Sequence, residues 1–274
     1  MNVSEGRRPE VITALVRAAG ADLIDVHTDA DHHRSVLTLI GEEAPRAVAV
    51  AAVERIDLRD HAGAHPRLGV VDVVPFVPLA GNSLAGAVAA RDRFASWLGA
   101  ELGVPAFIYG PGQATLPEIR RSAFAGLDPA AGPPVPHPRA GATAVGARLP
   151  LVAYNLWLVE PDLARARAVA RSLRSPRLRT LGLAVGTAVQ VSCNLLEPLR
   201  VGPGAVYDAV AASAPIARAE LVGLVPAAVL TAVDPERWAE LDLSPGRTVE
   251  ARLAARARKC RQRPTTQPQA EAAP

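Results

Sequence analysis

Lysine occurs once in these 274 residues, at position 259, so almost every positive charge is an arginine guanidinium; the formal net charge is +3. A guanidinium presents paired donors in a rigid fork, so dispersed arginines suit the carboxylates of a small acidic substrate. The densest basic run, Arg252 to Arg263, has no aromatic side chains among it, which argues against a nucleic-acid partner and reads as a solvated tail. Cysteine appears only at Cys193 and Cys260, too few for a disulfide framework, and the expected compartment is reducing. Cys193 alternates with Val189 and Val191 and reads as a small buried hydrophobe. Aromatics make up 4% against 49% hydrophobic residues, so the core must be built from Val, Leu, Ala and Ile. No apolar run reaches about 18 residues without a charge, and the opening MNVSEGRRPEV has no apolar stretch of the signal type. A soluble cytoplasmic protein without membrane contacts is expected.

What is present concentrates in DHAGAHPRLGVVDVVPFVP, residues 60–78. Pro66 pushes His65 out of the helical region, so its imidazole projects from a fixed, extended segment. Imidazole takes and returns a proton near neutral pH, which makes His65 the candidate general base, with His61, Arg67 and Asp72 close by in sequence. His61 and His65 have the spacing of two metal ligands on one helical face, but Gly63 and Pro66 argue against a helix and no third ligand stands at a matching distance. No metal is expected.

Along the chain, Ser4 to Gly20 reads as a helix, 21–26 and 35–40 as a hairpin with a charged tip, Glu42 to Ile56 as a helix, and 70–78 as a buried strand. The strand expected before Ser4 is nearly absent. A helix over 82–102 and a strand from Val104 follow. Between Gly110 and Gly146, Pro and Gly become dense and no period survives, which predicts a long loop or linker; His137 and Arg139 favour a substrate-binding element. From Pro150 the order is strand, helix, two strands, helix, strand, the split βαβ or ferredoxin-like order. The expectation is an α+β chain of two ferredoxin-like subdomains, 1–148 and 149–255, with a substrate cleft and a disordered tail over 256–274.

Several segments together resemble a known family: NVSEG at 2–6, DVHTDADHHRSV at 25–36, HPRLGVVDVVPFVP at 65–78, GATAVGAR at 141–148, YNLWL at 154–158, AVQVSCNL at 188–195 and ELVGLVP at 220–226. They are similar to the formiminotransferase domain of glutamate formimidoyltransferases, over Asn2 to about Val233. The resemblance implies transfer of the formimino group of N-formimino-L-glutamate to N5 of tetrahydrofolate, the co-substrate, in histidine degradation by a homodimer. Alternatives within it are formyl transfer between 5-formyltetrahydrofolate and glutamate, or a folate-binding protein with impaired catalysis. It implies His65 as the catalytic residue and a folate-contacting loop at Gly132, Pro133 and Gly141. Arg67 or Arg139 is expected on a substrate carboxylate, with His61 and His137 as further substrate-binding candidates. The chain departs from the pattern at His33-Arg34 in the hairpin turn, at Ala62 and Ala64 around His65, and in a shortened stretch near Ser175 to Leu183. Nothing in it resembles a cyclodeaminase domain.

Overall fold

A computed structural model describes residues 1–79 and 81–262. Its first six strands are β1 (Asn2–Val3), β2 (Leu23–Asp29), β3 (Arg34–Leu39), β4 (Val71–Phe76), β5 (Ala106–Tyr109) and β6 (Thr143–Ala147). They form one mixed sheet in the order β2-β3-β1-β4-β6-β5, antiparallel except for the parallel pairs β4·β6 and β5·β6. Because strand side chains alternate, one face takes Val3, Leu37, Val71 and Val145 into a core with α1 (Pro9–Ala19), α2 (Glu43–Arg55) and α3 (Leu84–Leu102). The opposite face carries Val73, Phe107, Tyr109 and Ala144, covered in part by α4 (Leu116–Ser122) through Ile119.

The second sheet contains β7 (Val152–Leu158), β8 (Leu178–Val185), β9 (Ala188–Leu195) and β10 (Ile216–Val222), in the antiparallel order β10-β7-β9-β8. The order β2-β3-β1-β4 of the first sheet recurs as β8-β9-β7-β10. Tyr154, Leu156, Val191 and Leu221 pack against α5 (Leu163–Leu173) and α6 (Pro203–Ala211). The alternating residues Asn155, Trp157, Gln190 and Glu220 lie on the other face. That face meets the first sheet's: Glu220 lies 3.3 Å from His27, and Gln190 2.9 Å from His32. The C-terminal helix α8 (Val249–Gln262) straps the two sheets together, Arg252 pairing with Asp25 at 3.4 Å and Arg256 with Asp22. No helix among the described residues is long and apolar enough to cross a membrane.

Four expectations are corrected. The first helix begins at Pro9, not Ser4: the Ser4 hydroxyl donates to the Gly69 carbonyl at 2.8 Å, and the buried Glu5 carboxylate accepts the amides of Gly6, Arg7 and Arg8 ahead of the helix. The opening strand is present as β1; its two residues sit between β3 and β4, so pairing on both edges replaces length. The segment 110–146 contains α4, started by a Thr115/Glu118 capping box, and ends by entering β6, an interior strand whose small residues and single glycine had masked its period. Residues 256–262, expected in a disordered tail, are helical, and the rest of that tail lies outside the described residues.

Candidate active site

The loop leading into β4 is pinned from several directions. His65 Nδ1 stands 2.7 Å from the Pro66 carbonyl oxygen, which can only accept, so Nδ1 carries the proton and Nε2 keeps a free lone pair. Arg67 donates to the carbonyls of His61 at 2.7 Å, Gly63 at 3.2 Å and His65 at 3.4 Å. Its fork is therefore spent bracing the loop, which differs from the carboxylate-binding role expected of it. Gly63 sits against the β2–β3 turn; a Cβ there would come within 2.5 Å of the His32 carbonyl oxygen. Only glycine permits that approach.

Beside His65 lies a charged cluster drawn from three elements. Asp72 of β4, fully buried, accepts from Arg34 Nη1 of β3 at 2.6 Å, Arg120 Nη2 of α4 at 2.8 Å and the Leu68 amide at 2.6 Å. Burial by itself would raise the Asp72 carboxyl, but the two guanidinia and the amide outweigh it and hold the group ionised, below its ordinary value. For His65 the balance goes the other way: burial and then Arg34 and Arg120 push the imidazole down to about 3, against the pull of the Pro66 carbonyl and Asp72. Farther along, Arg148, just after β6, stands against Tyr109, which also feels the Asp72 charge; burial lowers the proton affinity of Arg148, with Tyr109 opposing. Two guanidinia against one carboxylate leave net positive charge next to a neutral imidazole. That combination can receive an anionic substrate and abstract a proton from it.

The remaining candidates scatter. His61 stacks on His33, ring centroids 4.1 Å apart, and its Nε2 reaches the His33 carbonyl at 2.8 Å. With Arg139, which pairs with Asp57 at 3.2 Å, it lines a separate cleft of about 440 Å³ that His65 does not enter. His137 Nδ1 accepts the amides of Arg139 and Ala140, closing its own turn. Gly141 bridges to Gly69 just after the His65 loop, with φ 68°. Gly132 packs instead against Gly99 and Pro105, and both it and Pro133 are exposed. Sequence reasoning missed Arg34, Arg120, Arg148, His32 and Gln190. The Thr-x-x-Glu capping signature at Thr115 was the available signal for Arg120, since it starts the helix that delivers it.

Comparisons with known proteins bear on the family of this chain. The family model described as formiminotransferase domain, N-terminal subdomain, matches residues 1–148. A glutamate formimidoyltransferase of Streptococcus pyogenes is 37% identical over 196 residues, 63% of this chain and 66% of that protein. The formimidoyltransferase-cyclodeaminase of Gallus gallus is 37% identical over 267 residues, 82% of this chain but 49% of that protein, so the chain spans about half its length. A glutamate formimidoyltransferase of Thermoplasma acidophilum is 30% identical over 263 residues, 82% of this chain and 86% of that one. With the subdomain model covering the whole first sheet and its histidine loop, this chain belongs to the formiminotransferase family.

Proposed function

We propose that this chain transfers the formimino group of N-formimino-L-glutamate to N5 of tetrahydrofolate, releasing L-glutamate and 5-formimidoyltetrahydrofolate. The observation that carries the reading is the neutral His65 imidazole, its Nε2 free, beside the Arg34–Asp72–Arg120 cluster. N5 attacks the amidine carbon to give a tetrahedral intermediate, and His65 Nε2 takes the N5 proton. The imidazolium then returns that proton to the glutamate nitrogen as its carbon–nitrogen bond breaks. A base held near 3 stays unprotonated throughout the neutral range, and its protonated form is a strong acid for the second step. Substrate carboxylates arriving at the guanidinia reduce the positive potential on the ring and raise its basicity when it is needed.

Arg34, Arg120 and Arg148 are assigned to the substrate carboxylates in place of Arg67 and Arg139. Gly132, Pro133 and Gly141 are kept as the backbone of a folate-contacting segment. The recurring strand order supports two ferredoxin-like units, 1–148 and 149–255, with the substrate cleft between their facing sheets. The reading includes a cytoplasmic homodimer, which light scattering tests. The decisive experiment mixes purified protein with formiminoglutamate and tetrahydrofolate and follows the absorbance of the folate product. Turnover that falls by about 10²-fold or more in His65→Ala supports the reading. Folate binding without turnover overturns it in favour of a folate-binding protein, and turnover only with 5-formyltetrahydrofolate and glutamate reassigns the one-carbon group.

A further inference from the structure

Two buried polar atoms between the sheets, His32 Nδ1 and Gln190 Oε1, have no hydrogen-bond partner among the described residues, and the proposed reaction uses neither. They belong to one pair. His32, in the turn between β2 and β3, is 7% exposed; Gln190 on β9 is fully buried, and its Nε2 lies 2.9 Å from His32 Nε2. An amide nitrogen only donates, so His32 Nε2 accepts and the proton of the neutral ring sits on Nδ1. Turning the amide over exchanges donor and acceptor but still leaves one ring nitrogen and one amide atom without a protein partner.

On its other side His32 meets His65. The two rings stand edge-on, centroids 6.0 Å apart and planes at 66°. The His32 backbone is fixed where it stands: its amide donates to Asp29 Oδ1 at 2.6 Å, and Ala64, next to His65, donates its amide to the Asp31 carbonyl at 3.4 Å. One imidazole thus spans the gap between the proposed base on the first sheet and a buried amide on the second. An apolar pair would fill the same space without stranding two polar atoms, so packing alone does not account for these residues.

We propose that His32 is a positioning residue for His65 and that Gln190 is its anchor, so that the catalytic ring is held in its working orientation only while the second sheet lies against the first. The inference rests on the reading of His65 as general base, but its primary test does not need turnover. Around His65 the charged and titratable neighbours are Arg34 of β3, Asp72 of β4, Arg120 of α4 and His32 itself; across the gap His32 faces the uncharged Gln190. The His65 ring proton resonances are titrated by NMR in the free full-length protein, for wild type, His32→Phe and Gln190→Leu, with Gln190→Met replacing the leucine variant if that fails to fold.

Both variants are expected to move the His65 midpoint by at least about half a unit. In the transferase assay kcat falls about tenfold with KM changed less than about twofold, and Gln190→Glu, whose carboxylate reaches the same ring nitrogen, brings kcat back to within about threefold of wild type. Unchanged midpoints in folded variants overturn the proposal, as does a loss carried by KM alone. Midpoints that move in a protein without any transferase turnover uphold the positioning and overturn the proposed function.

Discussion

Replacing Asp72 with asparagine tests the charge balance on which the site depends. The carboxylate is completely buried and takes three hydrogen bonds, two of them from Arg34 and Arg120, whose side chains are 13% and 22% exposed. Asparagine keeps the shape and one acceptor oxygen but removes the charge, leaving two largely desolvated guanidinia facing each other. Removing one partner of a buried ion pair typically destabilises by about 3–5 kcal/mol, most of it the cost of the stranded charge. For a chain of this size, each kcal/mol lowers Tm by about 2–4 °C, so Asp72→Asn is expected to melt roughly 6–20 °C below wild type at pH 7. The Asp72 carboxyl is held below its unfolded value, so its contribution is complete above about pH 4 and is lost as the pH falls through the lower folded value; the gap between variant and wild type narrows in acid. Thermal and urea unfolding at pH 7 and at about pH 3 measure both effects. A variant within about 1 kcal/mol of wild type at pH 7, or a gap independent of pH, refutes the assignment of Asp72 as the counter-charge of the cluster.

Three further outcomes are expected. Gly63→Ala brings a methyl group to 2.5 Å from the His32 carbonyl oxygen and so shifts the His65 loop; the proposed transferase activity drops about 10²-fold in steady-state assays while the unfolding midpoint changes little, and retained activity rejects the packing reading. Burial and the stacked His61 lower the His33 imidazole to about 4, so the folded state binds fewer protons than the unfolded one and stability falls as pH drops from about 6.5 to about 4, by about 3 kcal/mol at most. His33→Asn, a residue that tolerates the φ of 51° at this position, flattens that slope in denaturant titrations. Cys193, buried, with its thiol pushed up to about 12, resists thiol reagents in the native protein and is labelled only on unfolding; rapid native labelling contradicts its place in the second core.

Elements with a clear period or strong punctuation were legible in the sequence. Alanine richness marked α2 and apolar spacing α3, alternation marked the β2–β3 hairpin and the second sheet, and Pro66 singled out His65 as a side chain on a rigid, extended support. Glycine-rich and very short elements were not. β1 has two residues, and their strand state comes entirely from partners more than 30 positions away in the chain. β6 reads TAVGA, too small and glycine-containing for a period, yet it lies between β4 and β5 because its small side chains allow close packing on both faces.

The same division runs through the site. Local sequence determined which residue is the candidate for the proton chemistry, that its backbone is extended, and that the available positive charge is guanidinium. What surrounds that residue was decided by the tertiary structure. Arg34, Asp72 and Arg120 come from three elements spread over 86 positions, and Gln190 reaches His32 from 158 positions away. Arg67 and Arg139 have the same chemistry as Arg34 and Arg120, but the fold turns one onto loop carbonyls and the other onto Asp57. The physical reason is that a backbone preference is set by neighbours within a few residues, whereas desolvation and charge pairing depend on which distant segments the closed core brings into contact.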